Sequence, residues 1–123
     1  MRQKRDHAEW RLQRQVAEYL RLALPELAWW TSIDHGADLR DGSRIDRARR
    51  GMTPGTPDIV IILPTDGRAL WIELKAGDGT LSHEQRQVRV ALRRAGCPYT
   101  VARTLLDVED FLRGYVELRA KVA

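Results

Sequence analysis

The stretch from Gly55 to Lys75 constrains the fold of this chain more than any other segment. It reads GTPDIVIILPTDGRALWIELK, in which Asp58 precedes an apolar run and a second run carries Glu73 and Lys75. Two short apolar runs on either side of a turn predict a hairpin of antiparallel strands. Because alternate strand residues point to opposite faces, Glu73 and Lys75 should project together. The stretch therefore predicts a compact cation-binding cage with an amine beside it, which is the candidate active site.

Length and composition favour one domain without a membrane segment. The chain has 123 residues, of which 43% are hydrophobic and 31% charged, enough for one core in a single domain over residues 1–123. The lone Cys97 excludes an internal disulfide and a cysteine-based zinc cage. No apolar run approaches the length of a membrane span, and the N-terminus lacks the apolar core of a signal peptide. We therefore expect a cytoplasmic protein without membrane contact.

Positive charge is concentrated in arginine clusters. The net charge is +4 and the isoelectric point is near 9.7. Arginine offers a planar fork that matches phosphate, and clustered positive charge is typical of nucleic-acid binders. The group predicted to bind nucleic-acid phosphates consists of Arg44, Arg47, Arg49 and Arg50. A solvated basic loop is the alternative for any one of them.

Helical spacing and turn residues predict the other elements. Before the hairpin they are a frayed tail over residues 1–7, a helix from Ala8 to Leu24, a strand within Leu27–Ile33 with Trp29 and Trp30 in the core, a turn at Asp34–Gly36, and a helix over Ser43–Arg50 capped by Ser43 and Asp46. After the hairpin comes a helix from Ser82 to Ala95, whose apolar stripe is Val88, Ala91, Leu92 and Ala95. A strand over Pro98–Arg103 and a final helix carrying Val108, Phe111, Leu112, Tyr115 and Leu118 complete the chain. Their order predicts an α/β fold, in which helices flank a small mixed sheet.

Two polar residues on these helices have alternative interpretations. Glu9 lies seven positions before Val16, within about 20° of it on a helix, and so faces the buried side, where a carboxylate needs a partner. It also lies in the first turn, where an acid favours the helix dipole. Gln85 lies one turn before Val88 and faces the sheet, but Ser82-x-x-Gln85 is also a capping box. Both alternatives stay open for each residue.

The predicted cage suits metal-assisted phosphodiester chemistry. Hard cations such as Mg²⁺ prefer oxygen ligands, which Asp58, Glu73 and the backbone carbonyl of Leu74 would supply. Cleavage of a phosphodiester needs an activated water and stabilisation of the negative charge on phosphorus, and a metal supplies both. Lys75 would orient or deprotonate the water. An acid followed by Glu-x-Lys is by itself a weak pattern.

The surrounding motifs resemble the virus-type replication-repair nuclease (VRR-NUC) family of the PD-(D/E)XK nuclease superfamily. They are GTPD before an apolar strand, IELK on the next strand, LSHEQ at the start of a helix, and AGCPYTVART before the last helix. Glu9 followed by Gln13 is similar to the family's leading glutamate and glutamine, and Gly51 and Gly55 are similar too. The short chain resembles the stand-alone form found in phages and prophages. Residues 36–54 depart from the family because they are arginine-rich and match no fixed motif.

The resemblance implies a restriction-endonuclease-like αβββαβ core with its site at the fork of the two central strands. It implies a DNA endonuclease that depends on Mg²⁺ or Mn²⁺ and cuts branched DNA, such as four-way (Holliday) junctions, as a homodimer in the cytoplasm of a bacterium or phage-infected host. Asp58 and Glu73 would bind the metal, and Lys75 would be the catalytic lysine. Glu9 would complete the acidic cluster, directly or through water, and Gln85 would assist from the following helix.

Three other functions agree less well with the same residues. A non-catalytic nucleic-acid-binding module that keeps the fold is the main alternative, but such a relative is expected to lose at least one of Asp58, Glu73 and Lys75, and all three are present. A sequence-specific restriction-type enzyme needs additional base-reading elements, for which 123 residues leave little room. The sequence has no G-x-S-x-G elbow, which argues against a serine hydrolase.

Overall fold

A four-stranded sheet with helices on both sides forms the molecule. The structure, a computed structural model, describes residues 2–35 and 43–122, with only the backbone described for residues 2–6 and 43. Its elements are α1 (Arg2–Ala23), β1 (Trp29–Ser32), α2 (Ser43–Arg49), β2 (Ile59–Ile62), β3 (Ala69–Leu74), α3 (His83–Arg94), β4 (Tyr99–Ala102) and α4 (Leu105–Arg113). The α/β fold class predicted from the sequence is confirmed.

The sheet has the strand order β1-β2-β3-β4. The first three strands are antiparallel neighbours, and β4 runs parallel to β3 after the crossover through α3. In the β2–β3 hairpin, Ile59 lies opposite Ile72 and Ile62 lies opposite Ala69. This register places Asp58, one residue before β2, opposite Glu73. The hairpin predicted from the stretch 55–75 is therefore present, with its two acids at the same end.

One face of the sheet carries the hydrophobic core, because α1 and α4 pack against it. The side chains of Ile59, Ile61, Leu70, Ile72 and Leu74 project from this face and are almost fully buried. They meet apolar residues that recur at helical spacing on the two helices, namely Leu12, Val16, Leu20, Val108 and Leu112. Glu18, on the far side of α1, is exposed.

The opposite face, called here the α3 face, carries Val60, Trp71, Glu73 and Tyr99 on adjacent strands. Helix α3 covers it, and the half-buried residues of this helix are Gln85, Val88, Arg89 and Leu92. The predicted stripe is wrong at Ala91 and Ala95, which are exposed. The helix is rotated so that polar Gln85 and Arg89 lie towards the sheet. A face that carries Glu73 favours polar neighbours over alanines.

Two other expectations about local structure are wrong, and two more fall in part on residues that the structure does not describe. Helix α1 begins at Arg2, since its first residues are helix-compatible and include neither Gly nor Pro. Trp29 is exposed, while Trp30 is partly buried against the core. Asp34 and His35 have no regular structure, and Gly36 lies outside the described residues. The predicted Ser43 cap also lies outside them, because only the backbone of Ser43 is described, and Asp46 pairs with Arg50.

The final helix ends at Arg113, so the prediction that it continues through Leu118 is wrong. Gly114 terminates it, and the chain then turns back along α1. The backbone N–H of Arg119 donates to the Ala23 carbonyl at 2.8 Å, and its Nε donates to the Leu24 carbonyl at 2.7 Å. This segment supplies partners for the carbonyls at the end of α1, where a helix lacks its own donors.

Glu109 on α4 is a buried acid that ties this returning segment to the core. Its side chain is almost fully buried, yet it accepts hydrogen bonds from the Tyr19 hydroxyl and the Val122 backbone N–H and pairs with Arg113. The Tyr19 hydroxyl also donates to the Ala120 carbonyl at 3.0 Å. Burial and the Glu109 charge raise the pKa of Tyr19. We assign Glu109 a structural role because protein groups occupy both of its oxygens.

Within the described part of the chain, no helix is both long and apolar enough to cross a membrane.

Candidate active site

The β2–β3 hairpin brings the two predicted acids side by side. Asp58 Oδ2 accepts a hydrogen bond of 2.7 Å from the backbone N–H of Leu74, which fixes the carboxylate at the point where β2 begins and β3 ends. Glu73 lies opposite Asp58 on the α3 face. Asp58 and Glu73, called here the acid pair, are thus separated along the chain but adjacent in the sheet.

Burial and proximity make the Glu73 carboxyl unusually difficult to ionise. Its relative exposure is 3%. Burial and then the charge and hydrogen bonding of Asp58 raise the pKa of Glu73 to about 9, with a smaller contribution from Glu9, while the ammonium of Lys75 acts in the opposite direction. Two adjacent carboxylates in a water-poor site repel each other unless a proton or a cation lies between them. Without a bound cation, burial and the neighbouring Asp58 therefore favour the protonated form of Glu73.

Lys75 and Gln85 both contact the same oxygen of Glu73. Lys75 Nζ lies 3.7 Å from Glu73 Oε2, as expected for residues on one face of a strand. Gln85 Nε2 donates to this oxygen at 3.2 Å. The other end of the Gln85 amide accepts from the Ser82 backbone N–H at 2.8 Å, while Ser82 Oγ accepts from the Gln85 N–H. The capping box is confirmed, and the same glutamine also reaches the acid pair.

Glu9 lies on the α1 side of the acid pair. It lines a cavity of about 250 Å³ together with Trp10, Gln13, Asp58 and Leu74. A Cβ on Gly79 would lie 3.8 Å from Glu9 Oε1 and 3.7 Å from the Cδ atom of Lys75, so both side chains converge on this glycine. Glu9 thus faces the site, in agreement with the inward orientation that helical spacing predicts. Its contribution to chemistry stays a prediction.

The α2 arginines and His35 border the site on another side. His35 Nε2 lies 3.3 Å from Asp58 Oδ1, and Arg47 donates to the His35 carbonyl at 2.9 Å. A cavity of about 400 Å³ opens there, and its lining includes His35, Arg44, Arg47 and Gln85. Of the two other predicted DNA-binding arginines, Arg49 is exposed and Arg50 pairs with Asp46. Arg44 and Arg47 therefore lie closest to the acid pair.

The site offers the oxygen donors that a hard divalent cation requires. Asp58 and Leu74 line the cavity in which Glu9 also lies, and Glu73 is adjacent. Among residues 2–35 and 43–122, no three His, Cys, Asp or Glu side chains are grouped closely enough to hold a metal by themselves. Asp58, Glu73 and the Leu74 carbonyl would supply oxygen donors of the kind that Mg²⁺ prefers, and Mg²⁺ usually keeps several water ligands besides.

Tyr99 and Arg89 both lie on this side of the sheet, and neither was among the individual site residues predicted from the sequence. Tyr99 pairs with Trp71 in the β3–β4 ladder and shares the α3 face with Glu73. Arg89 is half-buried against that face. The signal was present for Arg89, since Gln85, Val88, Arg89 and Leu92 follow the i, i+3, i+4, i+7 spacing of an inner helix face. No comparable pattern marks Tyr99, because tyrosine is common in buried strands.

The sequence of residues 2–105, which includes the acid pair, Lys75 and Gln85, matches the model of the VRR-NUC domain family. The chain belongs to the VRR-NUC family. VRR-NUC domains are of the nuclease type, which implies DNA as the substrate. The resemblance stated from the sequence motifs is confirmed.

Solved structures of VRR-NUC proteins share this fold. One, described as a VRR_NUC domain, has a TM-score of 0.60 and 19% sequence identity, and the match covers 89% of this chain and 98% of the other. A second, described as a VRR_NUC domain protein, has a TM-score of 0.66 and 19% identity, with coverage of 88% and 87%. No curated protein matches this chain. At this identity the structural likeness supports the fold, and the family membership rests on the sequence match.

Proposed function

We propose that this VRR-NUC domain is a metal-dependent endodeoxyribonuclease that hydrolyses phosphodiester bonds in branched DNA. The observation that carries the proposal is the acid pair, buried on the α3 face with Lys75 and Gln85 against one of its oxygens. A purely structural carboxyl at this depth would be expected to have a full set of protein partners, as Glu109 has. Glu73 instead lies beside a second acid.

Asp58, Glu73 and the Leu74 carbonyl would hold Mg²⁺ or Mn²⁺, with Glu9 acting directly or through water. When bound, such a cation stabilises negative charge on the phosphate and lowers the pKa of water. The charge of the cation would also offset the burial and the repulsion by Asp58 that raise the pKa of Glu73. A bound cation would thus account for the placement of two carboxyl groups side by side in a largely buried site.

Other side chains around the acid pair would orient the water, position the Glu73 carboxylate and bind the DNA. Lys75, half-enclosed beside Glu73, would orient the attacking water and offset charge on the phosphate. Gln85 would fix the orientation of the Glu73 carboxylate, because its amide is itself held by the start of α3. Arg44 and Arg47, which line the adjacent cavity, would bind backbone phosphates of the DNA.

The proposal includes a homodimer acting on four-way junctions. A two-fold symmetric dimer would present two acid pairs to two strands related by the same axis, which is the arrangement needed for paired nicks. The support is the resemblance to stand-alone family members, and the single chain offers one such site.

The test is a cleavage assay on a labelled four-way junction, a flap, a single strand and a linear duplex, with Mg²⁺, with Mn²⁺ and with EDTA. We expect paired symmetric nicks in the junction with either metal and none with EDTA. Asp58→Asn and Glu73→Ala should reduce the rate by at least about a thousandfold while DNA binding persists. Lys75→Ala should slow turnover without abolishing metal binding measured by calorimetry.

Glu18→Gln, which changes an exposed acid on the outer side of α1, is the matched control and should cut like wild type. Cleavage of flaps or single strands alone would keep the nuclease and reject the junction preference. Cleavage that persists in both acid-pair variants would show that the site has been assigned to the wrong residues. Tight DNA binding without cutting by wild type would favour the alternative, a non-catalytic nucleic-acid-binding module.

A further inference from the structure

Next to the acid pair, the α3 face buries hydrogen-bond donors that have no acceptor. The side chain of Tyr99 is 6% exposed, and its hydroxyl has no hydrogen-bond partner among the described residues. The indole N–H of Trp71, its neighbour in the β3–β4 ladder, is also buried without a partner. Leaving a buried donor unsatisfied is costly, so native structures seldom do it without a reason.

Arginines on α3 lie over the same part of the sheet. Gln85, Arg89 and Arg93 follow one another at intervals of four residues, so they form a row along the helix. The first member donates to Glu73, and the guanidinium of the last lies 5.7 Å from the centre of the Tyr99 ring. No described carboxylate lies within salt-bridge distance of Arg89 or Arg93. Their positive charge is thus available to a ligand.

The charges of the acid pair and those of Arg89 and Arg93 both affect the Tyr99 hydroxyl. Burial and the charges of Glu73 and Asp58 raise its pKa to about 12, while those of Arg89 and Arg93 lower it. A neutral donor whose ring lies under the Arg93 guanidinium suits an anionic oxygen that approaches from the side of this arginine. The phosphates of a DNA strand supply such oxygens at regular intervals on either side of the bond being cut.

We propose that Tyr99, Arg89 and Arg93 bind a backbone phosphate adjacent to the scissile phosphate. The exposed Arg93 side chain would move from the ring to the phosphate, which would then accept a hydrogen bond from the Tyr99 hydroxyl. This places one DNA strand along the row on α3, with Gln85 at the acid-pair end. The inference rests on the proposed function in taking DNA as the ligand, and it adds a binding subsite for that strand.

Tyr99→Phe tests the proposal because it removes only the unpartnered oxygen. Binding of a fluorescent four-way junction and of a linear duplex is measured in EDTA, cleavage is measured in Mg²⁺, and unfolding is followed in urea. We expect the Kd to rise about tenfold, the value for losing a hydrogen bond to a charged group. Stability should be unchanged or higher, since an unsatisfied buried hydroxyl costs free energy.

Tyr19→Phe is the matched control, because its hydroxyl has protein partners in Glu109 and Ala120. It should lower the unfolding midpoint and leave the Kd for DNA unchanged. The second variant, Arg93→Gln, should reduce the slope of log Kd against log salt by about one unit. Arg94→Gln, the same charge change at the next and exposed position, should alter the slope less.

The outcomes separate this inference from the proposed function. If wild type cuts the junction and Tyr99→Phe binds and cuts equally well, the phosphate subsite is refuted and the nuclease stands. Loss of stability in Tyr99→Phe that matches the loss in Tyr19→Phe, with no change in Kd, would assign the hydroxyl a structural partner and also refute the subsite. If wild type binds DNA but never cuts, while Tyr99→Phe weakens binding, the subsite survives and the nuclease fails.

Discussion

At the residue scale, two glutamates with nearly equal burial have very different neighbours. Glu73 and Glu109 are 3% and 4% exposed. Glu109 is stabilised by a hydroxyl, a backbone N–H and a guanidinium. Glu73 lies beside Asp58, and its pKa is raised to about 9. Burial alone therefore does not mark a functional acid, and the identity of the neighbours distinguishes the two residues.

The raised pKa of Glu73 makes stability depend on pH in the metal-free protein. Folding favours the protonated carboxyl, so its contribution to the free energy of unfolding is complete below the ordinary pKa of 4.5 and declines as the pH rises to about 9. Glu73→Gln mimics the protonated form and should remove this decline. Urea unfolding in EDTA between about pH 5 and about pH 9 measures it.

Glu18→Gln serves as the control for the pH experiment because Glu18 is exposed on α1. This variant should keep the wild-type pH dependence. If Glu73→Gln shows the same slope as Glu18→Gln, the Glu73 carboxyl is already ionised near neutral pH. Adding Mg²⁺ to wild type should increase stability more at the higher pH, since a cation that binds the carboxylate displaces its proton.

At the element scale, the loop before β2 sets the position of α3. Gly55 has a φ of +85°, and a Cβ there would lie 2.5 Å from the Glu84 carbonyl carbon and 2.7 Å from the Gln85 nitrogen. Only a residue without a side chain permits the loop to approach the first turn of the helix this closely. This contact holds the helix start, and with it Gln85, beside the acid pair.

Gly55→Ala should therefore destabilise the protein more than Gly51→Ala. Gly51 has a similar φ of +86°, but a Cβ there would meet nothing within 4 Å. Backbone strain alone costs about 1–2 kcal/mol for a non-glycine residue in this conformation, and the clash at Gly55 adds to it. Urea unfolding of the two variants compares the costs. Equal losses of unfolding free energy would show that the loop does not press on α3.

The sequence predicted those elements whose hydrophobic period is regular and whose ends carry turn residues. The hairpin from 55 to 75 and the capping box at Ser82 follow from local rules, so Glu73, Lys75 and Gln85 were placed correctly with respect to one another. The rotation of α3 was missed because alanines fit both the inner and the outer face of a helix. The sheet beneath the helix carries Glu73, and this polar neighbour determines which face of α3 packs inward.

At the scale of the whole molecule, the segment after α4 completes the core by returning to α1. Its attachments are the Arg119 bonds to the end of α1 and the Glu109 network. This return was not predicted from the sequence, because the apolar spacing of Tyr115 and Leu118 suggested that the last helix continues past Gly114. The buried position of Glu109 could have been read from its spacing with Leu105, Val108 and Leu112. Its partners could not, since they lie far along the chain.

Glu109→Ala should lower the free energy of unfolding by about 2 kcal/mol, because it leaves the Val122 backbone N–H without an acceptor and Arg113 without its carboxylate. Asp110→Ala, the exposed neighbour on the same helix, should change it by less than about 0.5 kcal/mol. Unfolding in urea provides both values. DNA cleavage by folded Glu109→Ala should match wild type, and a selective loss of activity would contradict the structural assignment.

The placement of both acids on one hairpin also bears on the order of folding events. Asp58 and Glu73 are joined by a single tight turn, in which Leu63 and Arg68 pair across the ends at 2.8 Å. Closing so short a loop loses little chain entropy, so local pairs of this kind tend to form early. In an early hairpin the two carboxylates are still hydrated and repel weakly. Their repulsion grows when α1 and α3 later exclude water, so the unfavourable electrostatics of the acid pair fall on the last stage of folding.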